Sequence, residues 1–148
     1  TRRNKIAALD GGSWHRLGDA GYLDASGRVW CAGRVSHRVV LASGALYPLL
    51  CEPLFDAHPQ VRRSGLVGVK RSEVMTPVLC VELVNGATGG AALARVRDEL
   101  LAMAAGNPAT AAIRHVLFHP KLPVDPRHIS KIERPALARW AADRAPRA

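Results

Sequence analysis

The stretch WHRLGDAGYLDASGRVWCAGR, residues 14–34, decides how this chain is read. It sets an acidic residue, Asp19, ahead of two short strand-like runs at 21–24 and 28–32, and it ends on Gly33-Arg34. Ala25-Ser26-Gly27 separates the runs. Because Gly27 can take the positive φ of a tight turn, a β-hairpin is predicted. On its N-terminal side, residues 1–12 read as the end of a helix and a loop, with Asp10-Gly11-Gly12 as the turn.

Beyond the hairpin, a strand is predicted over 38–42, ended by Ser43-Gly44. LLCEPLFDAH (49–58) has apolar residues at helical spacing, with Pro53 marking a first turn or kink. Strands are predicted at 61–69, 77–84 and 113–118, with Asn85-Gly86 and Gly89-Gly90 forming the loop after the second. AALARVRDELLAMAA (91–105) is the clearest helix, with a stripe of Leu93, Val96, Leu100 and Met103. A proline-rich loop at 119–127 leads to an amphipathic helix over 133–144, in which Leu137 and Trp140 face inward. Antiparallel strands mixed with helices give an α+β fold, a small antiparallel sheet with flanking helices. A boundary near Ser36 divides a hairpin edge of a larger domain (1–35) from a unit with enough helices and strands for its own core (36–148).

Composition narrows the function classes. At 148 residues, 48% of them hydrophobic, the chain can bury about two-thirds of its unfolded surface as an ordinary globular domain. No run of about 18 apolar residues is available to span a membrane, and the N-terminus lacks the apolar segment of a secretory signal. A start at Thr1 reads as a fragment or processed product. Cys31, Cys51 and Cys80 are odd in number and sit in apolar runs such as VLCVEL, as buried free thiols of a reducing, cytoplasmic compartment do. His115 and His119 are four apart, but a strand would separate them by about 13 Å, which argues against a shared metal. The net charge of +9 favours anionic partners. The basic residues are nonetheless scattered, aromatics are few, and no nucleic-acid-binding motif is present, so no nucleic-acid partner is expected.

Residues 14–34 resemble the motif of the acyl-adenylate-forming superfamily, in which an aromatic-Arg-x-Gly-Asp run precedes Gly-Arg. A second stretch, LPVDPRHISKIER (122–134), is similar to the family's Pro-containing loop followed by Gly-Lys-Ile-x-Arg, with Ser130 in place of Gly. The resemblance implies that Asp19 and Arg34 hold the ribose of ATP, a role that suits a carboxylate accepting two hydroxyls and a guanidinium offering several donors. It implies that Lys131 approaches the substrate carboxylate and the α-phosphate during adenylate formation, where positioning and electrostatics dominate. It also makes residues 36–148 a mobile C-terminal lid, with the hinge at Ser36, where members usually carry Asp or Lys. Gly44 stands one residue later than the family pattern, while Glu52 returns to register.

Among the branches, GDAGYLD, CAGRVSHRVV, CEPLFDAHP and IRHVLFHPKLPVDPRHISKIERPALARWA look most like the olefin β-lactone synthetases. That resemblance implies an ATP-dependent ligase. It would adenylate a long-chain 2-alkyl-3-hydroxy fatty acid and close it to a β-lactone, with ATP and Mg2+ held mainly by an N-terminal domain. Where CoA-using members carry an Arg for the cofactor's phosphates, this chain has Ala45-Leu46-Tyr47, consistent with a nucleophile internal to the substrate. Expected partners are the fatty acid, ATP, the N-terminal domain and, by the same resemblance, other hydrocarbon-biosynthesis enzymes. Two other readings stand beside this one: a long-chain fatty-acid CoA ligase, and a non-catalytic basic interaction module.

Overall fold

In the computed structural model, residues 5–145 are described apart from Ala8, Asp10, Ser72, Asn85, Ala87 and Thr88. The chain opens with a small hairpin, β1 (Lys5–Ala7) against β2 (Ser13–His15). The helix end expected over 1–12 is therefore corrected at Lys5–Ala7. So short a segment has no periodicity, and pairing with residues beyond its own turn decides its state. Asp10 of the expected turn lies outside the described residues.

The second hairpin is the predicted one, β3 (Asp19–Leu23) antiparallel to β4 (Val29–Arg34), and Gly27 has φ 76°. Asp24 organises its turn. One carboxylate oxygen accepts the N–H groups of Ser26 (2.9 Å) and Arg28 (3.0 Å), and the other accepts Trp30 Nε1 (2.9 Å) and Arg28 Nε (2.7 Å). These donors, the Trp30 indole above all, hold the Asp24 carboxyl down at about 2. Trp14, Tyr22, Leu23, Val29 and Trp30 on the two hairpins, and Leu17 between them, remain exposed. Cys31 is exposed as well, which corrects the expectation that all three thiols are buried. It lies on a two-stranded ribbon, most of which no described element covers.

A 3-10 turn (Val35–His37) leads to a third hairpin, β5 (Val39–Leu41) and β6 (Gly44–Leu46), so Ser43-Gly44 reverses the chain rather than ending the pairing. Helix α1 (Pro48–Asp56) follows, with Pro48 in its first turn and Pro53 inside. The central sheet has the order β7-β8-β9, from β7 (Val61–Arg71), β8 (Val74–Leu83) and β9 (His115–Phe118). β7 and β8 are antiparallel. β9 joins β8 in parallel, after a crossover through α2 (Gly90–Ala105).

Alternation along β8 builds two cores. Leu79 and Val81 face a cluster with Phe55 of α1 and Val96 and Leu100 of α2, while Val78 and Cys80 face a second cluster with Leu122, Ile132 and Leu137. The sheet is covered on both faces, so its middle strand reads as a continuous apolar run. The last helix, α3 (Arg134–Ala142), lies over the second cluster. Between β9 and α3 the structure replaces the expected loop with a short hairpin, β10 (Val124–Asp125) and β11 (His128–Ile132). Its prolines, Pro123 and Pro126, flank the two-residue strand β10, where no ladder N–H is lost.

Candidate nucleotide site and its hinge

Asp19 and Arg34 are the first residue of β3 and the last of β4, so antiparallel register sets them opposite each other. Arg34 Nε lies 3.2 Å from Asp19 Oδ1, and Arg34 Nη1 donates to the carbonyl of Leu17. The Val35 N–H donates to the Gly18 carbonyl (2.9 Å), which closes the same end of the hairpin. Both side chains remain about half exposed, at 41% for Asp19 and 52% for Arg34, so each keeps polar atoms open to a ligand. Gly18, with φ 80°, turns the chain directly under the Arg34 guanidinium.

Ser36 sits exposed at the centre of the 3-10 turn, between residues with extended backbone at Arg34 (φ −68°, ψ 130°) and Arg38 (φ −63°, ψ 144°). Its neighbour His37 marks where charge gathers. Partial burial and then the positive charges of Arg134, Lys131 and Arg34 push the His37 imidazole below its ordinary value, against an opposing pull from Glu52. Arg34 of the hairpin and Lys131 of β11 are both among the positive charges that act on this histidine. An open cleft of about 200 Å³ lies there, lined in part by Ser36, His37, Arg134 and Pro135.

Lys131 is exposed on β11, with its neighbour Ile132 buried in the second cluster. The backbone on either side is fixed. Ile132 pairs with Val124, and the Glu133 N–H donates to the Pro123 carbonyl (2.9 Å). Three residues on, Arg134 forms a bidentate pair with Glu52 of α1, Nη1 to Oε1 at 2.6 Å and Nη2 to Oε2 at 2.8 Å. Arg134 Nη1 also donates to the Leu66 carbonyl (3.0 Å), while the Leu66 N–H donates to Glu52 Oε1 (2.7 Å). Removing one partner from so buried a pair costs about 3–5 kcal/mol.

Neither this pair nor His37 stands out in the sequence. Glu52 and Arg134 are 82 residues apart, and although Glu52 stands in the family register and Arg134 ends Lys-Ile-x-Arg, nothing in the sequence pairs them. The buried cysteines offer no nucleophile, since burial pushes the Cys51 thiol up to about 11 and the Cys80 thiol up to about 12. For Mg2+, no three His, Cys, Asp or Glu side chains come together as metal ligands among the described residues, and no step is assigned to it.

Comparison with known proteins gives this geometry a family. No protein-family model matches the chain. An olefin beta-lactone synthetase from Xanthomonas campestris pv. campestris is 52% identical over 128 residues, covering 86% of this chain and 23% of that protein. An olefin beta-lactone synthetase from Stenotrophomonas maltophilia is 46% identical over the same shares. The chain therefore spans about a quarter of the length of these relatives. Among solved structures, the anthranilate CoA ligase AuaEII in complex with anthranoyl-AMP superposes with a TM-score of 0.70 at 26% identity, over 88% of this chain and 25% of that one. No helix among the described residues is long and apolar enough to cross a membrane. Sequence and fold together place the chain in the adenylate-forming superfamily, as a homologue of the C-terminal part of those enzymes with olefin beta-lactone synthetases among its relatives.

Proposed function

We propose that the chain is the C-terminal part of an ATP-dependent ligase that adenylates a 2-alkyl-3-hydroxy fatty acid and closes it to a β-lactone. The observation that carries this reading is the identity of 52% and 46%, over 86% of this chain, to two olefin beta-lactone synthetases, beside the opposed Asp19 and Arg34 at the end of the second hairpin. Residues 1–35 are the edge of a large nucleotide-binding domain, residues 36–148 form the lid, and Ser36 is the pivot between them. Asp19 accepts the two ribose hydroxyls of ATP through the carboxylate surface that Arg34 leaves open, and Arg34 donates to the ribose from the same side.

In the first step a substrate carboxylate oxygen attacks the α-phosphorus and pyrophosphate leaves. Lys131 offsets the charge that builds between the two as the displacement proceeds. In the second step the substrate's own β-hydroxyl oxygen attacks the acyl carbon, loses its proton, and AMP departs. The nucleophile is internal to the substrate, so no CoA site is needed, and the uncharged Ala45-Leu46-Tyr47 segment fits that economy. ATP and the fatty acid are the substrates. Most of the ATP and Mg2+ contacts come from the N-terminal domain, and the enzyme works in the cytoplasm beside other enzymes of hydrocarbon synthesis.

The test is to supply the full-length enzyme with a 3-hydroxy fatty acid and ATP, and to follow pyrophosphate, AMP and lactone. Lactone formation without CoA is the expected outcome; a thioester formed only when CoA is added would transfer the chain to the CoA ligases. In the same assay Lys131→Ala is expected to slow pyrophosphate release by about 100-fold or more, as loss of one charge-stabilising donor does. An unchanged rate removes Lys131 from this role.

A further inference from the structure

Lys131 is solvent-exposed on a short strand, and its long side chain has no ion pair holding it at the hinge among the described residues. Its position therefore depends on how firmly its backbone is held. On one side the hold is a two-stranded ladder with a register shift between Val124 and Asp125, which is a weak support by itself. On the other side is Arg134, whose guanidinium is fixed by both Glu52 oxygens and by the Leu66 carbonyl. Glu52 is in turn fixed by the Leu66 N–H, so α1, β7 and the start of α3 meet in one closed network. The network also borders the hinge, since Arg134 and Ser36 line the same cleft and Glu52 and Arg134 both act on His37.

We propose that the Glu52–Arg134 pair is a positioning device for Lys131, locking β11 to the hinge end of the lid so that the ammonium arrives at a fixed place when the lid closes. The inference rests on the adenylation role of Lys131 proposed above. It gives the pair a task that a hydrophobic pair would not perform. Two buried charges are a poor source of stability, but a bidentate fork tolerates little change of angle or distance. Lysine cannot replace arginine in such a fork, because it keeps the charge and loses the planar geometry.

The experiment compares four forms of the full-length enzyme: unaltered, Arg134→Lys, Lys131→Ala, and the double variant. Pyrophosphate release from ATP and the 3-hydroxy acid is measured for each, after thermal unfolding has established that each is folded. Arg134→Lys is expected to lower kcat for adenylation by on the order of 10- to 100-fold, the cost of a small misplacement of a catalytic group, with KM for ATP little changed. In the Lys131→Ala background the same change is expected to have no further effect, because there is no ammonium left to misplace. If Arg134→Lys slows both backgrounds equally while Lys131→Ala is itself slow, the positioning role is overturned and the catalytic role of Lys131 stands. A normal rate in Lys131→Ala overturns both. Should Arg134→Lys not fold, Glu52→Gln, which keeps the side-chain shape and removes the charge, replaces it in the same cycle: loss of its effect in the Lys131→Ala background supports the positioning role, and equal slowing of both backgrounds overturns it.

Discussion

At the scale of single residues, His37 carries a testable electrostatic consequence. Partial burial lowers the His37 imidazole first, the positive charges of Arg134 of α3, Lys131 of β11 and Arg34 of β4 lower it further, and Glu52 of α1 opposes them. His119, tilted against Trp140 with ring centroids 4.3 Å apart and also lowered chiefly by burial, behaves the same way. In both, the folded-state value lies below the 6.5 of the unfolded chain. Below pH 6.5 the unfolded chain therefore binds protons that the folded chain resists, so stability is lost as pH falls through that value. Above it both states hold neutral imidazoles and the difference vanishes. The urea midpoint of the chain is expected to drop between pH 7 and pH 5.5, and His37→Gln together with His119→Gln should flatten that drop; an unchanged slope would assign it to carboxylates. Asp19 and Arg34 stand out in the sequence through the family-like order of Gly-Asp and Gly-Arg, and the antiparallel register of β3 and β4 sets them opposite each other. The pairing of Glu52 with Arg134 was not legible, since a contact across 82 residues leaves no trace in a local pattern.

At the scale of elements, legibility followed the local apolar pattern. Helix α2 was readable because its apolar residues repeat at the spacing of the face it buries, and β7 and β8 because each holds an apolar, valine-rich run, with turn residues following β8. The β10–β11 hairpin was not, because three prolines mask strands whose pairing needs few N–H donors, and β1 was too short to have a pattern at all. The seating of α3 on the sheet depends on a residue with no side chain. A Cβ at Gly65 would lie 2.8 Å from Leu137 Cδ2 and 3.3 Å from Ile132 Cδ1, so glycine lets the helix approach β7 this closely. Gly65→Ala is expected to cost about 1–3 kcal/mol by overpacking the second cluster, read as a lower urea midpoint with an unchanged m-value. Leu137→Ala on top of it should recover part of that loss by removing the obstructing methyl groups, whereas simple additivity would point to strain elsewhere in β7.

At the scale of the whole molecule, the question is which residues make the folded unit. Every buried residue of both core clusters lies between Val39 and Ala145, and among the described residues before them Ala32 is the one buried hydrophobic residue. The first two hairpins rest on the remainder through few contacts, such as Gly33 against Leu49 of α1, where an added Cβ would stand 3.2 Å from the Leu49 Cβ. Their apolar side chains and that of Leu17 between them face solvent, with Trp14 and Leu17 each 69% exposed, and so contribute little burial energy to the chain. If residues 36–148 are an autonomous lid, removing 1–35 should leave its cooperative unfolding in place, with a urea midpoint close to that of the whole chain. The exposed Trp14 and Trp30 leave with the deleted segment, so the remaining fluorescence change reports Trp140 against His119 and Arg144 alone. A broad, non-cooperative transition in the shortened chain would move the boundary N-terminal to Ser36, since the hairpins would then have to support the core that holds Lys131 in place.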